Sequence, residues 1–472
     1  MKTLDHIPTG KIERATTLVK TGIKIGGNYA KYYSKKIISP SLDKDQLNQD
    51  NAEDIYDGLK DLKGSALKVA QMLSMEKNLL PRAFVEQFSL AQFSVPPLSA
   101  PLVRKVFKRY QGAYPEEVYD TFSKDSVNAA SIGQVHKATK DGKTLAVKIQ
   151  YPGVADSVKS DLALVRPVAL RMFNLKGQDT DKYFKEVEDK LIEETDYELE
   201  VAQSQEISKA CSVIENISFP AYYPSMSNTR IITMNWIQGV HLSEYVAKPF
   251  SEVHGNLLGQ ALWDFYMYQI HVLRKVHADP HPGNFLIRPS ETQAGNPELV
   301  AIDFGCIKSI PEDFYVPYFE LANESSLKDP VFFMQKLKAL EIITPSDTEA
   351  EIDYFKALFH EMLSLFTAPF HKEVFDFGDP VFWGNIASLS ERYANDPTIR
   401  KMNGNRGSKH FLYINRTFFG LFNLLFVYTR SFYSYLSSFN THCCGGLSRA
   451  FYYMPSLFYT SAFFNPCVIG IY

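Results

Sequence analysis

The sequence predicts an α+β protein of two lobes, a small one built on strands and a large one built on helices, behind a helical leader. Three observations carry this. The apolar period switches from 3.6 to 2 and back along the chain. Short apolar runs are bounded by turn signals, as strands are. From about residue 251 onward the pattern is helical, broken by a single strand-like run. The 472 residues suffice for two or three packed units. Hydrophobic residues make up 45% and charged residues 22%, an ordinary balance for a globular protein. A net charge of −3 gives no sign of a nucleic-acid partner, and none is expected.

Residues 1–37 are mildly basic, with Lys11, Arg14, Lys20, Lys24, Lys31, Lys35 and Lys36. A helix there presents either a solvated face, the blander reading, or an amphipathic face that touches anionic lipid. The same lysines interrupt any signal-peptide core, and five cysteines without a CxxC pair argue against a disulfide framework. A reducing, cytoplasmic setting is therefore expected, with peripheral association at the inner face of a membrane. Residues 51–93 read as helix, with Ile55, Leu59, Leu62, Ala66, Val69 and Leu73 near the 3.6 period, and Pro96–Pro97 punctuate it. A short helix is expected over 101–112. TLAVKIQ (144–150) reads as an apolar strand, and Asp141-Gly142 before it is a hairpin turn signal. Residues 156–210 return to helix, RIITMNWIQG (230–239) is a buried strand, and LVAIDFG (299–305) is a strand ending in a loop.

The tail is different. It has no Asp or Glu after Asp396 and no Lys after Lys409, and residues 421–472 hold fifteen Phe and Tyr but only two charges, Arg430 and Arg449. Three readings stand: a membrane-lying aromatic tail, an apolar packing segment, or a stretch translated out of frame. The expected organisation is a basic leader over 1–50, a helical extension over 51–112, a small lobe over 113–238, a large helical lobe over 239–420 and the aromatic tail over 421–472.

The chemistry concentrates in two motifs. In HADPHPGN (277–284), Asp279 and Asn284 lie five apart on a segment that Pro280, Pro282 and Gly283 force into a loop. Phosphoryl transfer needs a carboxylate near the attacking oxygen and an amide oxygen on a metal, and this spacing supplies both. In AIDFG, Asp303 ends an apolar strand, where a carboxylate can hold Mg²⁺ against phosphates. Either motif alone is weak; their order together is specific. Upstream, Lys148 sits inside LAVKIQ and must send its ammonium to a counter-charge. EETDYELE offers Glu193, Glu194, Asp196, Glu198 and Glu200, and composition does not choose among them. NAASIGQV occupies the slot where a glycine-rich phosphate loop would stand, but only Gly133 remains, flanked by Ala129, Ala130 and Ser131. His136, His277, His281 and Cys306 read as structural, and the aromatic residues of 412–426 as core.

Over residues 60–420 this order of motifs resembles the UbiB/AarF family of atypical kinase-like proteins, whose members support isoprenoid quinone biosynthesis. The resemblance implies a bilobal protein-kinase-like α+β fold with an N-terminal helical extension carrying a KxGQ-like element. That element is Lys68-Val69-Ala70-Gln71, with Ala70 in the family's glycine position. Glu194 and Asp196 match the family's ExD element, and Glu200 matches the helix glutamate that pairs with the strand lysine, here Lys148. Met234 and Trp236 fall in the nucleotide-side hinge. Asp279 becomes the catalytic-loop aspartate, and Asn284 and Asp303 the metal ligands. ATP or ADP with Mg²⁺ is the implied cofactor, and a lipid or quinone intermediate the implied partner. Lys68 and Gln71 are implied to point at the phosphates and Glu194 from a helix laid across the site mouth, which bars protein substrates. The expected function is an ATP-dependent kinase or ATPase at a membrane in quinone or lipid metabolism. A soluble small-molecule kinase of the aminoglycoside or choline type, and a nucleotide-gated binding protein with little turnover, are the rivals.

Overall fold

A computed structural model describes residues 10–39, 44–62, 97–129, 132–172, 179–372, 375–394, 396 and 407–428, and positions 64, 66, 68, 83 and 87. Two compact units divide the chain: residues 1–202 with 221–237, and residues 203–220 with 238–472.

The first unit begins with two long helices, α1 (Lys11–Ile38) and α2 (Asp45–Leu62). They cross closely: a Cβ on Gly58 would lie 2.1 Å from Thr21 Oγ1. Asn28 donates to Asn51 and Asp54 across the crossing. Along α2 the buried stripe is Ala52, Tyr56, Leu59 and Leu62, continued by Ala66. Tyr56, not Ile55, thus takes the inward position, because a partner helix on this side sets the face. Val69 and Leu73 lie outside the described residues. The leader is not simply a solvated face either. Arg14 is buried; its guanidinium grips Asp161 at 2.7 and 2.6 Å and donates to the Leu62 carbonyl at 3.0 Å.

Helix α3 (Ala100–Gln111) carries Pro at its start and ends on Gly112 in the left-handed region, the usual stop. A sheet follows: β1 (Thr121–Phe122), β2 (Asn128–Ala129), β3 (Gly133–Lys140), β4 (Lys143–Gln150) and, later, β6 (Ile231–Asn235). Its order is β1-β3-β4-β6, with β2 also on β3. Asp141 and Gly142 both have positive φ (48° and 74°), the turn that joins β3 to β4 with matching twist. The tract expected as helix over 156–210 is three helices: α4 (Val154–Met172), α5 (Asp179–Glu194) and α6 (Tyr197–Cys211).

The second unit pairs a four-stranded sheet with helices. The strands are β5 (Ile217–Ser218), β7 (Val240–His241), β9 (Phe285–Pro289) and β10 (Pro297–Ala301), ordered β5-β10-β9-β7. A separate ladder joins β8 (Lys275–His277) to β11 (Ile307–Ser309). Helices α7 (Glu252–Tyr268), α8 (Glu312–Glu320), α9 (Pro330–Ala339), α10 (Glu349–Phe366), α11 (Pro380–Ala394) and α12 (Lys409–Tyr428) fill the rest. The boundary drawn at residue 420 falls inside α12. Leu421, Phe422, Leu424, Leu425 and Phe426 are buried, so the buried apolar face runs past 420 to Phe426, within a helix that ends at Tyr428. The tail from 429 lies outside the described residues. Among the described residues, no helix is long and apolar enough to cross a membrane.

Candidate active-site elements

In the first unit, β4 places Lys148 opposite Val135 on one side and Ile232 on the other. An ammonium in so apolar a strand must find a partner. Helix α6 supplies it: Lys148 Nζ lies 2.6 Å from Glu200 Oε1, with 18% and 7% of the two side chains exposed. Several bonds fix the helix for this. Asp196 Oδ1 accepts from the Glu198 and Leu199 amides at 3.2 Å, capping the first turn. Gln150 Nε2, two residues along from Lys148, donates to the Thr195 carbonyl at 3.0 Å, and Arg230 donates to the same oxygen at 2.6 Å. The Lys148 ammonium also stands 4.9 Å from the Tyr197 ring centre.

Among the five carboxylates that the sequence left open, the structure therefore separates three jobs. Glu200 meets Lys148, Asp196 caps α6, and Glu194, at the end of α5, meets Lys68 at 2.8 Å. Glu194 is 9% exposed and Lys68 21%, so this pair is largely shielded. Gln71 lies outside the described residues, as do Ala130 and Ser131. Ala129 pairs with Gln134 across the β2–β3 turn. Gly133 opens β3 under close contact: a Cβ there would sit 2.7 Å from the Ile149 carbonyl and 2.8 Å from Tyr197 Oη. Segment 234–236 is held to the sheet edge. Met234 pairs with Ala146, and the Trp236 amide donates to the Thr144 carbonyl at 3.0 Å. His136 is buried between Ser123 O and Gln134 Nε2, at 2.9 and 2.8 Å, and burial lowers its pKa. It is a satisfied core histidine.

In the second unit, the loop 278–284 leaves β8 and enters β9. The Ala278 amide donates to the Cys306 carbonyl at 2.8 Å, and the Ile302 amide donates to the Asn284 carbonyl at 3.0 Å. These two bonds tie the HADPHPGN loop to the DFG segment at both ends. Asn284 Nδ2 donates to the Asp279 carbonyl at 2.9 Å. Asp303 Oδ1 accepts from the Gly305 amide at 2.9 Å. His281 Nδ1 accepts from the Gly283 amide at 3.0 Å, a strut within the loop. His277 is buried and packs edge-on against Phe304, 6.0 Å between ring centres. Asp279 Oδ1 accepts from Arg416 of α12 at 2.9 Å. Sequence reading left Arg416 unmarked, because nothing local ties it to a loop 137 positions earlier.

The donor set suits a hard divalent ion bound together with phosphate. One carboxylate, on Asp303, and one amide oxygen, on Asn284, would both offer oxygen ligands. They are too few to fill an octahedral shell, which leaves positions for phosphate oxygens and water, as Mg²⁺ prefers. Among the described residues, no cluster of three or more His, Cys, Asp or Glu that could hold a metal is present.

The chain is 28% identical over 354 residues to the mitochondrial atypical kinase COQ8B of Danio rerio, covering 74% of this chain and 55% of that protein. It is 27% identical over 405 residues to the mitochondrial atypical kinase COQ8 of Saccharomyces cerevisiae, covering 83% and 79%. The chloroplastic ACTIVITY OF BC1 COMPLEX KINASE 8 of Arabidopsis thaliana matches over 59% of this chain but only 37% of its own length, at 27% identity. The chain thus spans about half or less of the length of several curated relatives. Among solved structures, Mycobacterium tuberculosis Rv3197, determined with erythromycin, superposes with a TM-score of 0.54 at 25% identity over 81% of this chain and 93% of that one. The fold is protein-kinase-like. Residues 90–331, more than half of the chain and inclusive of Lys148, Glu200, Asp279, Asn284 and Asp303, match the ABC1 atypical kinase-like domain, and the chain belongs to that family.

Proposed function

We propose that this chain binds a magnesium-bound adenine nucleotide and turns it over as a kinase or ATPase on a small lipid-like substrate. The observation that carries the reading is the shielded Lys148–Glu200 pair on β4 and α6. A lysine held by one carboxylate keeps its charge and its direction, which is what a phosphate-binding cation needs. In the second unit Asn284 and Asp303 would hold Mg²⁺, which when bound neutralises phosphate charge. Asp279 would orient the attacking hydroxyl or water and accept its proton. Ala129, Ala130, Ser131 and Gly133 would cover the phosphates, with Met234 and Trp236 along the base. Lys68, paired with Glu194, would act as a regulator with Gln71 and Asp196, favouring turnover over phosphorylation of other proteins. The names of the COQ8 relatives support the atypical-kinase class and are the ground for proposing quinone or lipid metabolism.

Asp303→Asn tests the metal assignment, since it replaces a charged ligand by a neutral amide of the same shape. The Mg-ATP-induced thermal shift of the parent chain should vanish in the variant while its own melting transition remains. An undiminished shift would refute the assignment of Asp303. Membrane association is supported by α1, whose outer stripe is apolar.

A further inference from the structure

The segment between Asp279 and Asn284 reads Pro-His-Pro-Gly and contains no lysine or arginine. Phosphoryl transfer sites place fixed positive charge beside the reacting oxygens. In this unit a cation reaches the loop from elsewhere. Arg416, on α12, donates from its guanidinium to Asp279 Oδ1 at 2.9 Å, with the two side chains 22% and 30% exposed.

The contact is not an incidental surface pair, because the helix that bears it is fitted to the loop at three successive turns. Tyr413, Arg416 and Gly420 are spaced three and four apart and so share one face of α12. Tyr413 is buried in a cluster with Ala278 and Cys306, the two residues whose backbones join the loop to the DFG segment. Lys308 stands 5.1 Å from the same Tyr413 ring. At the far end, Gly420 backs directly onto Pro280. A Cβ at 420 would lie 2.1 Å from Pro280 Cγ and 3.1 Å from its carbonyl, so only glycine allows the helix this close. Between these two contacts the guanidinium is carried to Asp279 by a rigid element.

We infer that Arg416 is the positioning residue of Asp279: α12 is a brace that supplies the cation missing from the 279–284 loop and fixes the carboxylate. Its consequence for turnover rests on the nucleotide reading above; its consequence for the loop does not. The fork of a guanidinium fixes direction as well as charge, and an ammonium fixes only charge. The two can therefore be separated by substitution.

The experiment compares the full chain with Arg416→Ala and Arg416→Lys. Backbone hydrogen exchange over 278–284, without nucleotide, should run about tenfold faster in Arg416→Ala and fall between in Arg416→Lys. ATP hydrolysis in Arg416→Ala should lose about 10²-fold in kcat, the scale of a misplaced catalytic group, with KM for Mg-ATP changed less than about threefold. Arg416→Lys should recover part of that loss. Unchanged loop exchange in Arg416→Ala overturns the inference. So does a rise in turnover, which would make the pair a brake, or a loss confined to KM, which would make Arg416 a nucleotide contact. If the parent neither binds nor hydrolyses ATP while Arg416→Ala still loosens the loop, the brace stands and the nucleotide reading falls. If Arg416→Ala does not fold, Arg416→Lys carries the exchange comparison, and its loop exchanging as in the parent overturns the inference.

Discussion

Lys148 shows how far one residue can be read. A lysine inside an apolar strand demands a counter-charge, and that demand was visible in the sequence. Its partner was not, because choosing among five nearby carboxylates requires the phase of one helix against one strand. The structure gives that phase through the Asp196 cap and the Gln150–Thr195 bond. Removing one member of a shielded pair leaves the other charge without compensation. Lys148→Met should therefore cost about 2–3 kcal/mol in urea unfolding, discounted from a fully buried pair for its partial exposure. Lys148→Met with Glu200→Leu should recover most of it, and a double variant as unstable as the sum of the singles would show that the two side chains do not interact. His271 gives a residue-level pH effect. Burial, with Arg274 nearby, pushes its pKa down to about 3, while unfolded histidine titrates near 6.5. Between those values the unfolded chain binds a proton that the folded chain refuses. Stability from this group is complete above the upper value and is lost as pH falls, by up to about 1.4 kcal/mol per unit. Asp264 works in the opposite sense. Burial, reinforced by Glu215, raises it to about 6, so its folded form takes up a proton between its ordinary 3.8 and 6. His271→Gln should thus gain stability relative to the parent as pH is lowered from 6.5 to 4. Parallel pH profiles of urea midpoints would show that His271 does not titrate as stated.

At the scale of elements, local signals were reliable and facing partners were not. The Asp141-Gly142 turn could be read directly, because two adjacent positive φ angles suit those two residues. The inward face of α2 could not, since it depends on α1 crossing at Gly58. The five-residue π turn over Gln269–Leu273, ending on Arg274 in the left-handed region, left no sequence signal either. Gly133 is an instance where one residue answers two questions. Sequence reading took it as the last glycine of a phosphate loop. The structure shows a separate need for it, since any side chain would press on the Ile149 carbonyl and the Tyr197 hydroxyl. Its φ is not in the left-handed region, so close approach, not conformational freedom, demands glycine. Gly133→Ala should cost about 1–3 kcal/mol by overpacking. It should also disturb Tyr197, whose ring lies against the Lys148 ammonium. A variant with an unchanged melting temperature would mean the β3–β4 edge yields more easily than the contact distances imply.

For the whole molecule, the least legible part was what the leader does. Basic composition suggested a solvated face or a lipid contact, and the fold now separates the faces of α1. Arg14, Thr21 and Tyr32 are buried on one side, with Arg14 fastened to Asp161. Ile12, Val19, Ile23 and Ile37 are 62–85% exposed and share a stripe on the opposite side, since 7, 4 and 14 residues bring a helix back to nearly the same bearing. Gly26 and Gly27 also open onto free space near this stripe. Lys20, Lys24, Lys31 and Lys35 follow along one flank. A 28-residue helix docked by one face, apolar on the other and flanked by lysine would suit an anionic bilayer surface on which it could lie flat. Singly exposed apolar residues need no explanation, but four in register along one helix do. Binding should therefore depend on both terms. The full chain should float with vesicles containing phosphatidylglycerol, less with neutral phosphatidylcholine vesicles, and less again as salt rises. Changing Ile12, Val19, Ile23 and Ile37 to serine together should abolish flotation at low salt while leaving the melting temperature near that of the parent, because none of the four is part of the core. Flotation by the four-serine variant equal to the parent's would assign membrane contact to some other surface, and destabilisation of the variant would mean that the stripe packs against protein.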